Sequence, residues 1–296
     1  MNNRSFSKHY YLMLLPGMVW LILISIVPMF GIVIAFQDFN PGAGFFRSAW
    51  IGLENFDYMF ALSDIRSIFF NTVFIAVMKM AAHLVVPLVF ALMLNELRLA
   101  LIKRWIQTIV YLPHFLSWVI LAGILLDIFS FSGPVNGLLK ALGFEPVLFF
   151  ANSTLFPFMV VASDVWKEFG FNTIIYLAAL TGISPVLYEA AAIDGASRFR
   201  RLWHVTLPGI TTTIVLLAVL SLGNVLNAGF DQIFNLYNPL VYSTGDIIDT
   251  WVYREGLLNL QYGLATAVGL LKSVVSFILI IISYALASRF ANYRIF

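Results

Sequence analysis

The groups in this sequence that could do chemistry are polar and ionisable side chains set inside apolar runs. Lys79, His83, Trp118, Asp127, Asp164, Trp166, Lys167, Glu168, Asn224, Asn227 and Lys272 all lie within stretches otherwise rich in Val, Ile, Leu, Ala and Phe. Such a group either lines a pathway or is satisfied by a neighbouring helix, because leaving it bare in hydrocarbon is costly. Trp118, Trp166, Lys167, Asn224 and Asn227 are the candidates for contact with a polar solute; Asn224 and Asn227, at i and i+3, are expected on one helical face. Lys167 and Glu168, near Asp164, also fit a structural ion pair, and Lys79 and Lys272 fit pairing or snorkelling. Catalysis has little to stand on. His9, His83, His114 and His204 have no H-E-x-x-H spacing, no G-x-S-x-G occurs, and cysteine is absent. A metal centre and a thiolate nucleophile are therefore not expected, and neither is an enzyme. No G-x-x-x-x-G-K-[ST] is present either, so the chain lacks a P-loop of its own.

The elements that must hold these groups are membrane spans. The 296 residues are 61% hydrophobic and 11% charged, against about 25% charged in a soluble domain. A net charge of +2 without a basic run gives no reason to expect nucleic acid. Six apolar stretches are long enough to cross about 30 Å of hydrocarbon: Tyr11–Phe36, Ser67–Leu94, Trp105–Phe129, Thr154–Leu180, Ile210–Gly229 and Tyr262–Ser288. Arg4 and Lys8 ahead of the first run loosely resemble a signal peptide, but Leu12–Phe36 is too long for one and reads as a retained span. Pro16, Pro28, Pro87, Pro113 and Pro157 should bend their helices. The expectation is an all-α polytopic protein forming a single domain over 1–296.

Orientation follows from Lys and Arg. One side holds Arg4, Lys8, Arg98, Lys103, Arg104, Arg198, Arg200, Arg201, Arg289 and Arg294, and the other only Arg47, Arg66, Lys140 and Arg254. Both termini and the second and fourth connections are thus expected in the cytoplasm.

The fourth connection, about 181–208, is not loop-like. Ser184 is placed to cap a helix and Pro185 to begin it. Gly195 supplies a stop. Leu187, Ala190 and Ala191 share a face of the intervening helix, Val186–Asp194, with Glu189 and Asp194 beside it. Ser197 can start a second, basic helix that ends at Leu207-Pro208. A short capped helix with a small-residue face has the shape of a docking knob; an interfacial helix lying on lipid has the same spacing.

Glu189-Ala190-Ala191, Asp194-Gly195-Ala196 and Leu207-Pro208, at these distances, resemble the EAA signature of binding-protein-dependent importer permeases. Ile34–Pro41, Gln107–Phe115, Gly229–Ile233 and Ile248–Arg254 resemble the carbohydrate branch, and within it the polysaccharide-fragment group that includes alginate and aldouronate systems. The resemblance implies a type I importer permease fold in a bacterial cytoplasmic membrane. It implies that Leu187, Glu189, Ala190, Ala191, Asp194, Gly195, Ala196, Leu207 and Pro208 belong to a coupling helix seated on a separate ATPase. The partners implied are a second permease, two ATPase copies that carry the ATP and Mg, and an extracytoplasmic binding protein. An outer loop of such proteins meets the binding protein, which makes Asp231, Gln232, Tyr237, Trp251 and Arg254 the contact candidates; a solvated loop is the plainer reading of the same residues. Trp118, Asn224 and Asn227 then suit a saccharide path, since sugars are held by aromatic faces and amide hydrogen bonds. The rival functions are an ion-gradient-driven transporter and an importer of a non-sugar solute.

Overall fold

In this computed structural model the described residues are 3–97, 99–223 and 225–290. The chain divides into two compact units, Met1–Ser63 with Trp251–Leu271 and Asp64–Thr250 with Lys272–Phe296. Among the described residues its elements are helices, with short helical turns at Leu112–Phe115, Pro239–Val241, Tyr242–Gly245 and Arg254–Leu258 besides those named next, save for one hairpin. In chain order they are α1 (Asn3–Leu21, continued by a π turn, a short α turn and a 3-10 segment to Phe36), β1 (Gln37–Asp38), β2 (Ala49–Trp50), α2 (Glu54–Ala61), α3 (Ile65–Glu96), α4 (Ala100–Tyr111), α5 (Trp118–Ile128), α6 (Pro134–Ala141), α7 (Phe156–Thr181), α8 (Pro185–Ile193), α9 (Arg198–Leu222), α10 (Phe230–Leu236), α11 (Ile248–Tyr253) and α12 (Tyr262–Phe290).

Four helices among the described residues are long and apolar enough to cross a membrane: His9–Phe36, Ile65–Glu96, Arg198–Leu222 and Tyr262–Ala285. Two bent pairs bring the number to as many as six. α7 is long enough alone, at 26 residues, or about 39 Å at 1.5 Å per residue; Asp164, Lys167 and Glu168 interrupt its apolar run.

In the first unit, β1 pairs antiparallel with β2, Gln37 opposite Trp50 and Asp38 opposite Ala49. Phe36 stacks on Trp50 at 5.7 Å between centroids. The Asn55 amide donates to the carbonyls of Ala35 and Gln37 at 2.9 and 3.1 Å, tying α2 to the end of the first span.

The second unit is organised around α3 and α7, which pack along much of their length. One core cluster gathers Ile75, Leu121, Leu125, Phe156, Val160, Ile233 and Leu236 from α3, α5, α7 and α10. Another gathers Ala91, Tyr176, Leu180, Ile183 and Ile210. Gly170 of α7 lies directly against the carbonyl of Val110, so α4 and α7 meet backbone to backbone.

Three sequence expectations are corrected here. The third span, Trp105–Phe129, is not one rod: the chain turns by 106° between Ala100–Phe115 and Trp118–Ile128. Pro113 sits in a 3-10 turn, and Ser117, extended at φ −68° and ψ 153°, opens a new helix by accepting from the Ile120 N–H. The basic helix does not stop at Leu207-Pro208 either. It runs on as α9, because a π turn over Leu202–Thr206 absorbs the proline and the Leu207 N–H bonds back to Leu202. Finally, the fifth span ends at Leu222 and not at Gly229. Residues 223–229 are non-helical where described, and Gly229, at φ +94°, makes the turn into α10.

Candidate functional site

The segment expected to form a docking knob is built from its ends inward. α7 bends by 68° into α8 at the Thr181–Pro185 break. Ser184 is extended, at φ −61° and ψ 126°, and Pro185 takes the first helical position, but the Ser184 side chain makes no capping bond. The stop is stronger than the start. Gly195 adopts φ +70°, and the Ala196 and Gly195 N–H groups donate to the carbonyls of Ala191 and Ala192 at 2.9 and 3.1 Å. This is a complete Schellman closure, which needs a residue comfortable in the left-handed region. One side of α8 is held to the body by Tyr188, which packs on the core cluster around Tyr176 and lies 3.1 Å from the Thr206 hydroxyl. Val186, Leu187 and Ile193 are left 65%, 52% and 87% exposed. Glu189, Ala190, Asp194, Gly195 and Pro208 are also exposed, while Ala191, Ala196 and Leu207 are half-buried. A rigid knob with an apolar exposed side can transmit force only if another surface grips it.

Deeper in the second unit lies a buried polar network. Lys79 of α3 donates to the Ala228 carbonyl at 2.7 Å and to the Gln232 side-chain oxygen, and it stands 3.4 Å from Asp164 of α7. The other Asp164 oxygen meets His83 Nε2 at 2.7 Å. Gln232 donates to the Val160 carbonyl and the Ser163 hydroxyl at 2.7 and 2.8 Å. The network therefore joins α3 and α7 to α10 and to the unwound stretch before it. Unwound backbone at membrane depth must find partners inside the protein, and Lys79 supplies one for Ala228. Adjoining it through His83, a cavity of about 130 Å³ is lined by His83, Asn172, Tyr176, Leu217 and Ser221.

A second cluster surrounds Lys167. Its ammonium donates to Glu168 at 2.7 Å and to the His114 carbonyl at 2.9 Å, and lies 5.7 Å from the Trp118 ring centre. The other Glu168 oxygen contacts His114 Nδ1 at 2.7 Å, and the His114 ring stacks on Phe171 at 4.0 Å. The Lys167–Glu168 pair expected from sequence is present. Asp164 belongs instead to the Lys79 network. Lys272 pairs with Asp249 at 2.5 Å.

The sequence candidates separate accordingly. Trp118 is half-buried beside the Leu121 cluster, Lys167 is 7% exposed and committed to its partners, and Trp166 is 44% exposed. Asn227 is exposed but not helical, so the shared helical face expected for it and Asn224 is corrected: α9 has ended at Leu222. Asn224 itself lies outside the described residues. Among the outer candidates Asp231 is exposed, and Tyr237 and Arg254 are half-buried. Gln232 and Trp251 are 0% and 5% exposed; neither presents a surface to another protein, and Gln232 is spent on the Lys79 network. The stretch 231–262 folds into helices and turns with its own buried positions, Ile233, Leu236, Val241, Ile247 and Ile248, and is no solvated loop. Sequence reasoning missed Tyr188 as the anchor of α8 and Gln232 as the hub of a buried network. An Asp164 and a Lys79 in separate apolar runs were the available signal for the latter.

Residues 83–292 match the family described as the binding-protein-dependent transport system inner membrane component. The chain is 40% identical over 291 residues to the polygalacturonan/rhamnogalacturonan transport system permease protein YteP of Bacillus subtilis, covering 98% of this chain and 91% of that one. It is 41% identical over 291 residues to Protein LplB of the same organism, covering 98% and 92%. Among solved structures it is similar, with TM-score 0.90 and 34% identity over 98% of both chains, to a chain in the crystal structure of a bacterial alginate ABC transporter in complex with an alginate pentasaccharide-bound periplasmic protein. The α8 knob and the long helices around it are thus shared with transport permeases along nearly the whole chain, and this protein belongs to the binding-protein-dependent transport system inner membrane components, as the permease of an ABC importer and not an enzyme.

Proposed function

We propose that this permease imports an oligosaccharide released from a polysaccharide, received from an extracytoplasmic binding protein. In this reading it works beside a second, similar permease, with two ATPase subunits carrying ATP and Mg against α8 on the cytoplasmic face. Both termini lie on that face as well. The observation that carries the reading is α8 itself: a helix closed at its end by Gly195, anchored by Tyr188, and exposing Val186, Leu187 and Ile193. Leaving such groups bare to water forgoes about 25 cal/mol per Å² of apolar surface, so a protein groove is the occupant that makes them useful. Closure of the ATPases would move α8, and with it α7 and α9, which flank it in the chain. The polymers named for its relatives, polygalacturonan, rhamnogalacturonan and alginate, support a saccharide cargo with uronate residues.

The test is copurification of the chain with its partner subunits, followed by ATPase measurement with the binding protein loaded with a series of oligosaccharides. Stimulation by polysaccharide-derived oligosaccharides, and not by amino acids or phosphodiesters, is the expected result. A purified assembly without a nucleotide-hydrolysing partner would overturn it.

A further inference from the structure

The chain that returns to the membrane after α8 differs from α8 in kind. Where α8 exposes aliphatic side chains and the carboxylates of Glu189 and Asp194, the start of α9 exposes Arg198, Phe199, Arg200, Trp203 and His204. The Ser197 hydroxyl opens α9 by accepting from the Arg200 N–H at 3.4 Å, so these side chains stand in fixed rows. Phe199 and Trp203, at i and i+4, share one row. Their ring centres are 6.1 Å apart, and they stay 69% and 55% exposed. Arg200 and His204 form the row beside them, and Arg198 begins the row on the other side. The aromatic pair is thus flanked by an arginine on each edge.

These cations have no counter-charge from the protein. Among the described residues Arg198, Arg200 and Arg201 form no ion pair, although Glu189 and Asp194 lie close by in the chain. His204 Nδ1 faces the Arg200 carbonyl at 2.9 Å. A carbonyl only accepts, so Nδ1 donates and the imidazole is held in the Arg200 row.

Depth and charge together select what covers this patch. From Val205 to Leu222 there is no charged residue, so hydrocarbon begins just past His204 and Arg198–His204 falls in the headgroup layer. Tryptophan favours that layer, because its ring is apolar and its indole N–H polar. Arginine placed there meets phosphate oxygens, which its planar fork binds in bidentate fashion. The pattern recurs at the other connection that carries the positive excess. There α4 holds Lys103 and Arg104 just ahead of Trp105, which is 64% exposed. Two exposed tryptophans, each just after a basic cluster, mark one level of the membrane.

We infer that Arg198–His204 binds the headgroup of an anionic phospholipid in the cytoplasmic leaflet. Arg198 and Arg200 hold the phosphate, and Phe199 and Trp203 lie against the glycerol and the upper acyl chain. The choice of leaflet rests on the orientation proposed above; the chemistry of the site does not. A bound headgroup fixes the depth at which the chain re-enters the membrane, next to the point where Tyr188 ties α8 to Thr206. Movement of α8 is then referred to a fixed point on α9.

The test reconstitutes the assembled importer in nanodiscs of phosphatidylcholine and phosphatidylglycerol in equal parts. The lipids that it keeps on extraction are then counted by native mass spectrometry. Phosphatidylglycerol should be enriched over phosphatidylcholine on the native protein. Arg198→Gln and Arg200→Gln should each cut that enrichment about fivefold, the factor that one basic residue contributes at an anionic surface. Trp203→Ala should lower retention of both lipids, and Trp203→Phe should preserve it. Arg47→Gln, on the opposite side of the membrane, should change nothing. Unchanged thermal midpoints show that these exposed positions leave the fold intact. Equal enrichment on the native protein and the arginine variants would overturn the proposal. So would release of phosphatidylglycerol by inorganic phosphate, since the site would then serve a free anion. Capture of an ATPase subunit in place of lipid by a photocrosslinker at Phe199 would overturn it too. No saccharide enters this readout, so failure here leaves the proposed cargo standing. The leaflet is decided separately, because cysteine is absent from the chain and Asp194→Cys introduces a unique thiol. Its reaction with an impermeant maleimide from outside the cell would overturn the cytoplasmic leaflet and the orientation with it.

Discussion

The ammonium of Lys79 lies 2.7 Å from the carbonyl oxygen of Ala228, at the point where α9 has ended and α10 has not begun. The same ammonium faces Asp164 at 3.4 Å and touches Gln232. A Cβ at Gly229 would come within 2.8 Å of it, so the break in the helix, the glycine and the lysine form one unit. This part of the second unit is therefore locked through a charge and not through apolar packing alone.

Replacing Lys79 by leucine takes a partner at once from Asp164, the Ala228 carbonyl and the Gln232 side-chain oxygen, and leaves Asp164 with His83. Breaking a buried pair from one side costs about 3–5 kcal/mol, so Lys79→Leu should lower the thermal midpoint of the detergent-solubilised protein substantially. The double variant Lys79→Leu, Asp164→Leu removes the buried carboxylate that has lost its lysine and should recover part of that loss, at the expense of its bond to His83. No recovery would mean that Lys79 acts mainly through Ala228.

Gly195 carries the closure of α8. A β-branched residue there is strained by about 1–2 kcal/mol in the left-handed region and would loosen the Ala196–Ala191 bond. Gly195→Val should insert and fold, because α8 contributes little to the core, yet lose stimulation of the ATPase by loaded binding protein. Gly195→Asn, which tolerates positive φ better, should retain much more. Transport at the native rate in Gly195→Val would count against α8 as the coupling element.

The contrast between what could and could not be read from sequence follows the range of the interactions. The α8 knob was legible because its proline, small face and glycine stop are local, packed into the twelve residues from Pro185 to Ala196, although the expected Ser184 cap bond does not form. The sharp turn at Leu116–Ser117 was not: one proline and one serine inside an apolar run predict a kink, and only the Ser117 cap makes it a corner of 106°. Pro208 read as a helix end because a proline removes a donor, while the π turn at Leu202–Thr206 that accommodates it leaves no compositional mark. Gln232 read as a contact residue because it falls in a stretch expected to be an outer loop, whereas its buried partners Lys79, Val160 and Ser163 lie far away in the chain. Asp164 likewise finds its partners on α3, not in the adjacent Lys167.

Lys167 offers a direct separation of structural from transport roles. Its side chain is 8% exposed and bonded to Glu168 and His114, so Glu168→Leu alone should destabilise by about 3–5 kcal/mol. The paired change Lys167→Met, Glu168→Leu removes both charges and should restore most of the midpoint. Uptake by that double variant should stay within twofold of native if the lysine only holds α7 against the His114 turn. A well-folded double variant without uptake would put Lys167 in the solute path.

The approach of α4 to α7 makes the last prediction, with an internal control. A Cβ at Gly170 would fall on the Val110 carbonyl, with the Val110 carbonyl carbon 2.7 Å away. Both are backbone atoms that no rotamer change can move. Gly170→Ala should therefore force the helices apart and cost about 1–3 kcal/mol, the usual range for overpacking, although alanine is by nature the better helix former. Gly123, inside α5, has nothing within 4 Å of the same added atom. There the intrinsic preference is unopposed, and Gly123→Ala should raise stability by up to about 1 kcal/mol. Thermal midpoints of the two variants, measured side by side in one detergent, should move in opposite directions. Movement in the same direction would mean that α4 and α7 are not in backbone contact at Gly170.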